Sequence, residues 1–190
     1  YQKLLLLADK INSSLKTIQT LDFGGGFGVM DHSDKKLNFQ DWQNELNELL
    51  KAKFYNILFE PGRYIVADSG ELYTKVLYVK TSGNKRIIIT DCSFSEYLRP
   101  ALYDINPPIE VLNNSNDLET YDIAGGICES TDFFAKDVSL PKVKQGDFIK
   151  LINVGAYGSS MSSTYNSRPR PLEILKNKEE YRVIRSRDTL

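Results

Sequence analysis

A single histidine, His32, and two cysteines, Cys92 and Cys128, are all that 190 residues provide of the side chains most used in metal centres. One imidazole argues against a His-built metal site and against a Ser-His-Asp triad. Two thiols without zinc-type spacing are too few for a disulfide framework, so reduced cysteines are expected. Long apolar runs are also missing: the longest, 4–8, falls far below the roughly 18 residues that cross a bilayer. No basic segment with a cleavage site precedes it, and a cytoplasmic location is expected. Neither sign of charge dominates, since 24 basic and 25 acidic residues nearly cancel, so nothing steers the chain to nucleic acid or an anionic membrane. A small, specifically held ligand stays open. What is present, 41% hydrophobic and 26% charged residues, describes a globular chain with one core, or a core plus part of another.

The first stretch spaces Leu4, Leu7, Ile11, Leu15 and Ile18 as one helix face, predicting a helix over 3–18. No Ser, Asp or Pro opens it, which suggests a chain cut from something longer. A short strand over 20–23 then runs into Gly24-Gly25-Gly26-Phe27-Gly28. A second helix, with Trp42, Leu46, Leu49 and Leu50 on one face, is predicted over 38–53. A buried-type strand over 56–60 follows and stops at Pro61-Gly62. Helix, strand, helix, strand is the pattern of a parallel α/β unit. After Asp68 the pattern changes. Segments 72–80, 85–90, 118–128, 147–154 and 181–185 are rich in β-branched and aromatic residues and are separated by Gly, Asn, Asp and Pro turns. The expected organisation is therefore an α/β part, 1–68, followed by an all-β domain, 69–190. Two strands cannot close a sheet, and a (β/α)8 barrel takes about 250 residues, so the first part is expected to be incomplete.

Each motif has a bland alternative. The glycine run is neither G-x-G-x-x-G, because Val29 stands where the last glycine belongs, nor a P-loop. Successive glycines at a strand end still present N–H donors to a phosphate, although a tight turn has the same composition. Glu60-Pro61-Gly62-Arg63 delivers a carboxylate and a guanidinium to the end of the second strand, where parallel α/β folds bind ligands; the alternative is a surface ion pair. Arg99-Pro100-Ala101-Leu102-Tyr103 sets a cation and a phenol one helical turn apart, suited to hold a carboxylate jointly if the segment is helical, or else a helix start with a packed tyrosine. Cys128-Glu129-Ser130 ends a strand, and the neighbouring glutamate argues for a polar place rather than the core. The stretch 155–171, from Gly155-Ala156-Tyr157-Gly158 to Tyr165-Asn166-Ser167-Arg168-Pro169-Arg170-Pro171, makes poor core and a good binding loop; a flexible linker is the alternative.

Taken in order, Gly-Gly-Gly-Phe-Gly, Glu-Pro-Gly-Arg, Arg-Pro-Ala-Leu-Tyr, Cys-Glu-Ser-x-Asp and Gly-Ala-Tyr-Gly to Tyr-Asn-Ser-Arg-Pro-Arg-Pro resemble the diaminopimelate decarboxylase family over nearly the whole chain, from Leu21 on. The resemblance implies a (β/α)8 alanine-racemase-like barrel holding pyridoxal phosphate, then a β-barrel domain, in a homodimer with active sites at the subunit interface. It implies that Gly24, Gly25 and Gly26 hold the cofactor phosphate and that Glu60, followed by Pro61 and Gly62, keeps the pyridine nitrogen protonated. Arg63 and Tyr157 would touch cofactor and substrate, Arg99 and Tyr103 a substrate carboxylate, and Glu129 a substrate amino group. Cys128 would be the proton donor, acting from the partner subunit. Ornithine-type relatives bind a distal amine, for which Arg99 carries the wrong charge, so a dicarboxylic substrate, meso-2,6-diaminopimelate, is expected. Segments 92–97 and 30–36 depart from the family's usual pattern.

The family's cofactor-binding lysine belongs to an early barrel strand upstream of this sequence, and Lys51 and Lys53 close a helix instead. The chain alone is therefore expected to be inactive. Alternatives are a sister decarboxylase of D-ornithine, D-lysine or a carrier-bound amino acid, and a non-catalytic remnant or interaction module.

Overall fold

The structure, a computed structural model, describes residues 1–29 and 37–189. The polar loop 30–36 with His32 lies outside the described residues. The chain divides into two compact units, Tyr1–Ile65 and Val66–Leu190.

In the first unit, helix α1 (Gln2–Asn12) leads to strand β1 (Thr20–Asp22), and helix α2 (Phe39–Leu50) to strand β2 (Asn56–Leu58), which pairs parallel to β1. Leu5 and Ala8 of α1 bury against Leu21, with Ile18, Leu49, Leu50, Tyr55 and Ile57 packed around them. The helix stops well before Ile18, where the apolar spacing alone carried it. Asn12 is the reason: its side chain donates to Ile18 O at 2.7 Å and accepts from Ile18 N at 2.9 Å, and this return turn replaces another helical turn. Asn38 caps α2 by accepting from Gln40 N and Asp41 N at 3.0 and 3.4 Å. Strand β2 is not the buried strand its composition predicts, since only Ile57 is partly covered while Asn56 and Leu58 are exposed. Phe23, Phe27, Phe59, Trp42, Phe39 and Tyr64 join edge to face, or tilted between Phe27 and Tyr64, in one aromatic chain, ring centroids 5.2–6.1 Å apart.

Helix α3 (Gly62–Val66) leads into the second unit, where strands β3 (Leu72–Ser82), β4 (Lys85–Thr90), β5 (Ile109–Val111), β6 (Leu118–Ala124), β7 (Phe133–Pro141) and β8 (Phe148–Leu151) form one sheet in the order β5-β8-β3-β4-β6-β7. Helix α4 (Arg99–Tyr103) lies between β4 and β5. The pair β9 (Glu173–Asn177) and β10 (Glu180–Arg185) is a separate hairpin. All sheet contacts are antiparallel except β4 with β6. Alternate residues, among them Val76, Ile88, Tyr121, Ile123, Phe134, Ile149 and Leu151, fill one core. The two edges come together: Asn106, just before β5, donates to Lys136 O and accepts from Lys136 N of β7, both at 3.0 Å. The sheet thus curls into a nearly closed barrel, and the chain combines α/β and all-β parts as expected.

Strand β7 escapes a simple reading because it carries a bulge. Tyr121 pairs with Val138 and Ile123 with Ala135, so Lys136 and Asp137 face a single residue. Asp137 sits at φ 53, and its N–H is taken by the buried Asp122 at 2.8 Å. Lys85 meets Asp137 at 3.0 Å and Asp122 at 3.2 Å, and these bonds raise its pKa, that to Asp137 most. Among the described residues no helix is long and apolar enough to cross a membrane.

Candidate active site

Parallel pairing of β1 and β2 sends the two loops that follow them to the same end of the strands. They are linked there, because Glu60 N donates to Gly24 O at 2.8 Å. Gly24 and Gly26 adopt φ 68 and 85, a region in which a side chain is strained. Gly25 is required for a different reason: a Cβ would stand 2.5 Å from Glu60 O. Among the described residues nothing accepts from the N–H groups of Gly25, Gly26 or Gly28, and the space beside Gly24, Gly26 and Gly28 is open. N–H donors on a glycine backbone at a strand end, without an acceptor among the described residues, fit a phosphate group. Glu60 lies just past the end of β2, and Arg63 is on α3. The ion pairs of this unit are Lys51–Glu48 and Lys53–Asp9, so the Glu60 and Arg63 charges are not spent on each other among the described residues.

In the second unit Arg99 opens α4 and is flanked by two rings, its guanidinium carbon 4.9 Å from the Tyr103 centroid and 5.6 Å from that of Tyr157. It has no acidic partner among the described residues. A half-buried guanidinium held by aromatic rings and left unpaired is preorganised for an anion, and its planar fork suits a carboxylate. Tyr157 reaches it from a loop whose backbone is fixed: Val154 N donates to Gly70 O and Gly155 N to Ala67 O, both at 2.9 Å. Tyr157 itself has φ 60, an unfavourable conformation for a side-chain-bearing residue.

Cys128 and Glu129 form another group, with no hydrogen bond, ion pair or ring contact to Arg99, Tyr103 or Tyr157 among the described residues. Strand β6 ends at Ala124, earlier than its composition predicts, because Asp132 folds the next segment back on itself. Gly125 N donates to Asp132 O at 2.9 Å, and the Asp132 carboxylate accepts from Phe94 N at 2.8 Å and Ile127 N at 3.1 Å. The Cys128 thiol is exposed at the crest of this turn. Glu129 accepts from the Tyr165 hydroxyl, a bond that raises the Tyr165 pKa, and Tyr165 stacks on Phe94 at 5.5 Å.

Three participants received no role from the sequence: Asp132, which closes the Cys-Glu-Ser-x-Asp motif, Tyr165 of the 155–171 stretch, and Glu96. Glu96, 8% exposed, accepts from Ser93 N and Ser93 Oγ, both at 2.7 Å, and from Arg168 Nε at 2.9 Å. The only local signal was a glutamate among small residues, in the segment where the sequence leaves the family pattern.

Burial is the main reason the Asp132 carboxyl lies above the ordinary aspartate range, partly offset by the N–H groups of Phe94 and Ile127. A raised acid favours the folded state most when protonated. That contribution is complete below the ordinary aspartate pKa and is lost as pH rises through the raised one. Thermal melts of the protein and Asp132→Asn across this window should therefore give a stability difference, protein minus variant, that falls with rising pH. A pH-independent difference would contradict the assignment.

Comparison with known proteins identifies the family. The family model for the C-terminal sheet domain of pyridoxal-dependent decarboxylases matches residues 27–155. Diaminopimelate decarboxylase of Helicobacter pylori is 40% identical over 191 residues, covering 100% of this chain and 47% of the relative. That of Neisseria meningitidis serogroup A is 34% identical over 190 residues, with 100% and 47% covered. Among solved structures, the Helicobacter pylori enzyme complexed with L-lysine superposes with a TM-score of 0.83 at 40% identity, covering 99% of this chain and 47% of that one. The chain thus spans about half the length of the curated relatives it matches. The match of this family model over more than half of the chain shows that the chain belongs to the pyridoxal-dependent decarboxylase family.

Proposed function

We propose that this chain supplies the C-terminal half of a pyridoxal-phosphate-dependent diaminopimelate decarboxylase, which converts meso-2,6-diaminopimelate to L-lysine in the cytoplasm as a homodimer. The observation that carries the substrate choice is the Arg99 guanidinium, held between Tyr103 and Tyr157 and unpaired among the described residues. A substrate that keeps a second carboxylate after losing the first meets this cation favourably, and one ending in an amine does not. Support also comes from the relatives, which bear the name diaminopimelate decarboxylase, and from the L-lysine complex of one of them.

Pyridoxal phosphate, when bound, supplies the electron sink that makes loss of CO2 from an amino acid feasible. The N–H groups of Gly25 and Gly26 would hold its phosphate, that of Gly24 being taken by Asp22 Oδ1 at 2.7 Å, and Glu60, beyond which Pro61 and Gly62 turn the chain, would keep a proton on its ring nitrogen. Arg63 and Tyr157 would each contact cofactor and substrate. Arg99 and Tyr103 fix the carboxylate that is retained, and Glu129 fixes an amino group, so the other carboxylate is the one presented for cleavage. The Cys128 thiol, acting from the partner subunit, gives its proton to the carbon that has lost CO2. The balance is one C–C bond broken, one C–H bond formed and one proton consumed. The lysine that anchors the cofactor is expected in the portion of the relatives that this chain does not span.

The test is CO2 release by the full-length protein, loaded with pyridoxal phosphate, from meso-diaminopimelate, D-lysine and D-ornithine, with this chain alone as control. Turnover of diaminopimelate only, with an inert control, is expected. Turnover of the monocarboxylic substrates alone would reassign the protein to a sister decarboxylase.

A further inference from the structure

Tyr165 is held more firmly than an exposed loop residue needs to be. Two residues before it, Ser163 N donates to Ser95 O at 2.8 Å. Three residues after it, Arg168 pairs with the buried Glu96 at 2.9 Å and donates through Nη2 to Asp91 O. Asn166 and Ser167, at φ 57 and 56, provide the turn that brings Arg168 back beneath segment 91–96. Tyr165 is thereby fixed on both sides to the segment that carries Phe94, on whose ring it stacks. The same Phe94 donates its N–H to Asp132, the residue that folds the Cys128–Glu129 turn. Loops far apart in sequence thus share one buried polar frame, and the Tyr165 hydroxyl closes it on the Glu129 carboxylate.

We infer that Tyr165 is a positioning residue whose hydroxyl fixes the Glu129 carboxylate in the orientation that receives the substrate's amino group. The inference rests on the reading of Glu129 proposed above. A lone glutamate on an exposed turn has several rotamers, and only some of them face the ligand. A donated hydrogen bond to one oxygen, from a phenol fixed by stacking, selects one rotamer and leaves the other oxygen free for an ammonium. Tyr165 touches no reacting atom in this scheme.

The experiment is a double-mutant cycle in the full-length, cofactor-loaded protein, using Tyr165→Phe and Glu129→Gln. Phenylalanine keeps the stack on Phe94 and removes only the donor. Two quantities are read, KM for meso-diaminopimelate and the dissociation constant of L-lysine by calorimetry, the second independent of turnover. Tyr165→Phe should raise both about 10-fold, the size of one hydrogen bond to a charged group, with kcat changed less than about 2-fold. In the Glu129→Gln background the same change should add nothing, because the group it positions is gone. An unchanged KM in Tyr165→Phe, or effects that simply add, would overturn the inference and leave the Glu129 assignment intact. Glu129→Gln with unaltered KM and lysine affinity would instead remove the amine subsite itself, and the inference with it.

Discussion

Replacing Arg99 with alanine in the full-length protein is expected to lower kcat/KM for meso-diaminopimelate about 100-fold, while a monocarboxylic amino acid loses no more than about 3-fold. The asymmetry follows from what the variant leaves behind. A substrate with a second carboxylate carries that charge into a place where its partner has gone, and hydrogen bonds to charged groups contribute roughly 1.5–3 kcal/mol. A substrate without the group has nothing to lose there. Arg99→Lys should recover only part of the activity, because a lysine point charge reproduces neither the planar fork nor the stacking on Tyr103 and Tyr157. Steady-state kinetics on both substrate types decides the matter. Equal losses on the two would remove Arg99 from carboxylate recognition.

The largest effect on stability is expected at Glu96. Its side chain is 7% exposed and that of Arg168 is 28% exposed, so their ion pair is shielded from water on the carboxylate side. Glu96→Ala deprives Ser93 N, Ser93 Oγ and Arg168 Nε of their acceptor at once. Breaking one side of a buried pair typically costs about 3 kcal/mol, which for a domain of this size lowers Tm by about 10 °C. The double replacement Glu96→Leu with Arg168→Met should cost less than Glu96→Ala alone, since it leaves no buried charge without a partner. Thermal unfolding of the single and double variants checks the order. A double variant less stable than the single would mean that the pair contributes more than the removal of an uncompensated charge explains.

How much of this was legible in the sequence depends on how far apart the interacting groups lie along the chain. Strands β3 and β4 were readable because β-branched and aromatic residues flank a two-residue turn, Gly83-Asn84, with Gly83 at φ 60. Glycines 24–26, Glu60, Arg99 and Tyr157 could be singled out because each stands in a short motif at an element end. By contrast β5 is three residues long and β7 is interrupted by its bulge, so neither has enough alternation to register. The end of α1 was hidden because the amide of Asn12 wins over an apolar spacing that continues to Ile18. Asp132 and Arg168 stand in motifs the sequence singles out, but nothing local ties them to each other or to Glu96. Glu96 and Arg168 are 72 residues apart, and Phe94 and Asp132 are 38 apart. Only the fold makes these residues neighbours, and only burial separates such a glutamate from an ordinary surface charge.

The central claim is that the protein exchanges one carboxylate of a diamino dicarboxylic acid for a proton. It is tested most directly by running the decarboxylation assay in deuterium oxide and analysing the product by mass spectrometry and NMR. Lysine carrying a single carbon-bound deuterium, at the carbon that lost CO2, is the predicted result. Unchanged diaminopimelate, or diaminopimelate that gains deuterium without releasing CO2, would contradict it.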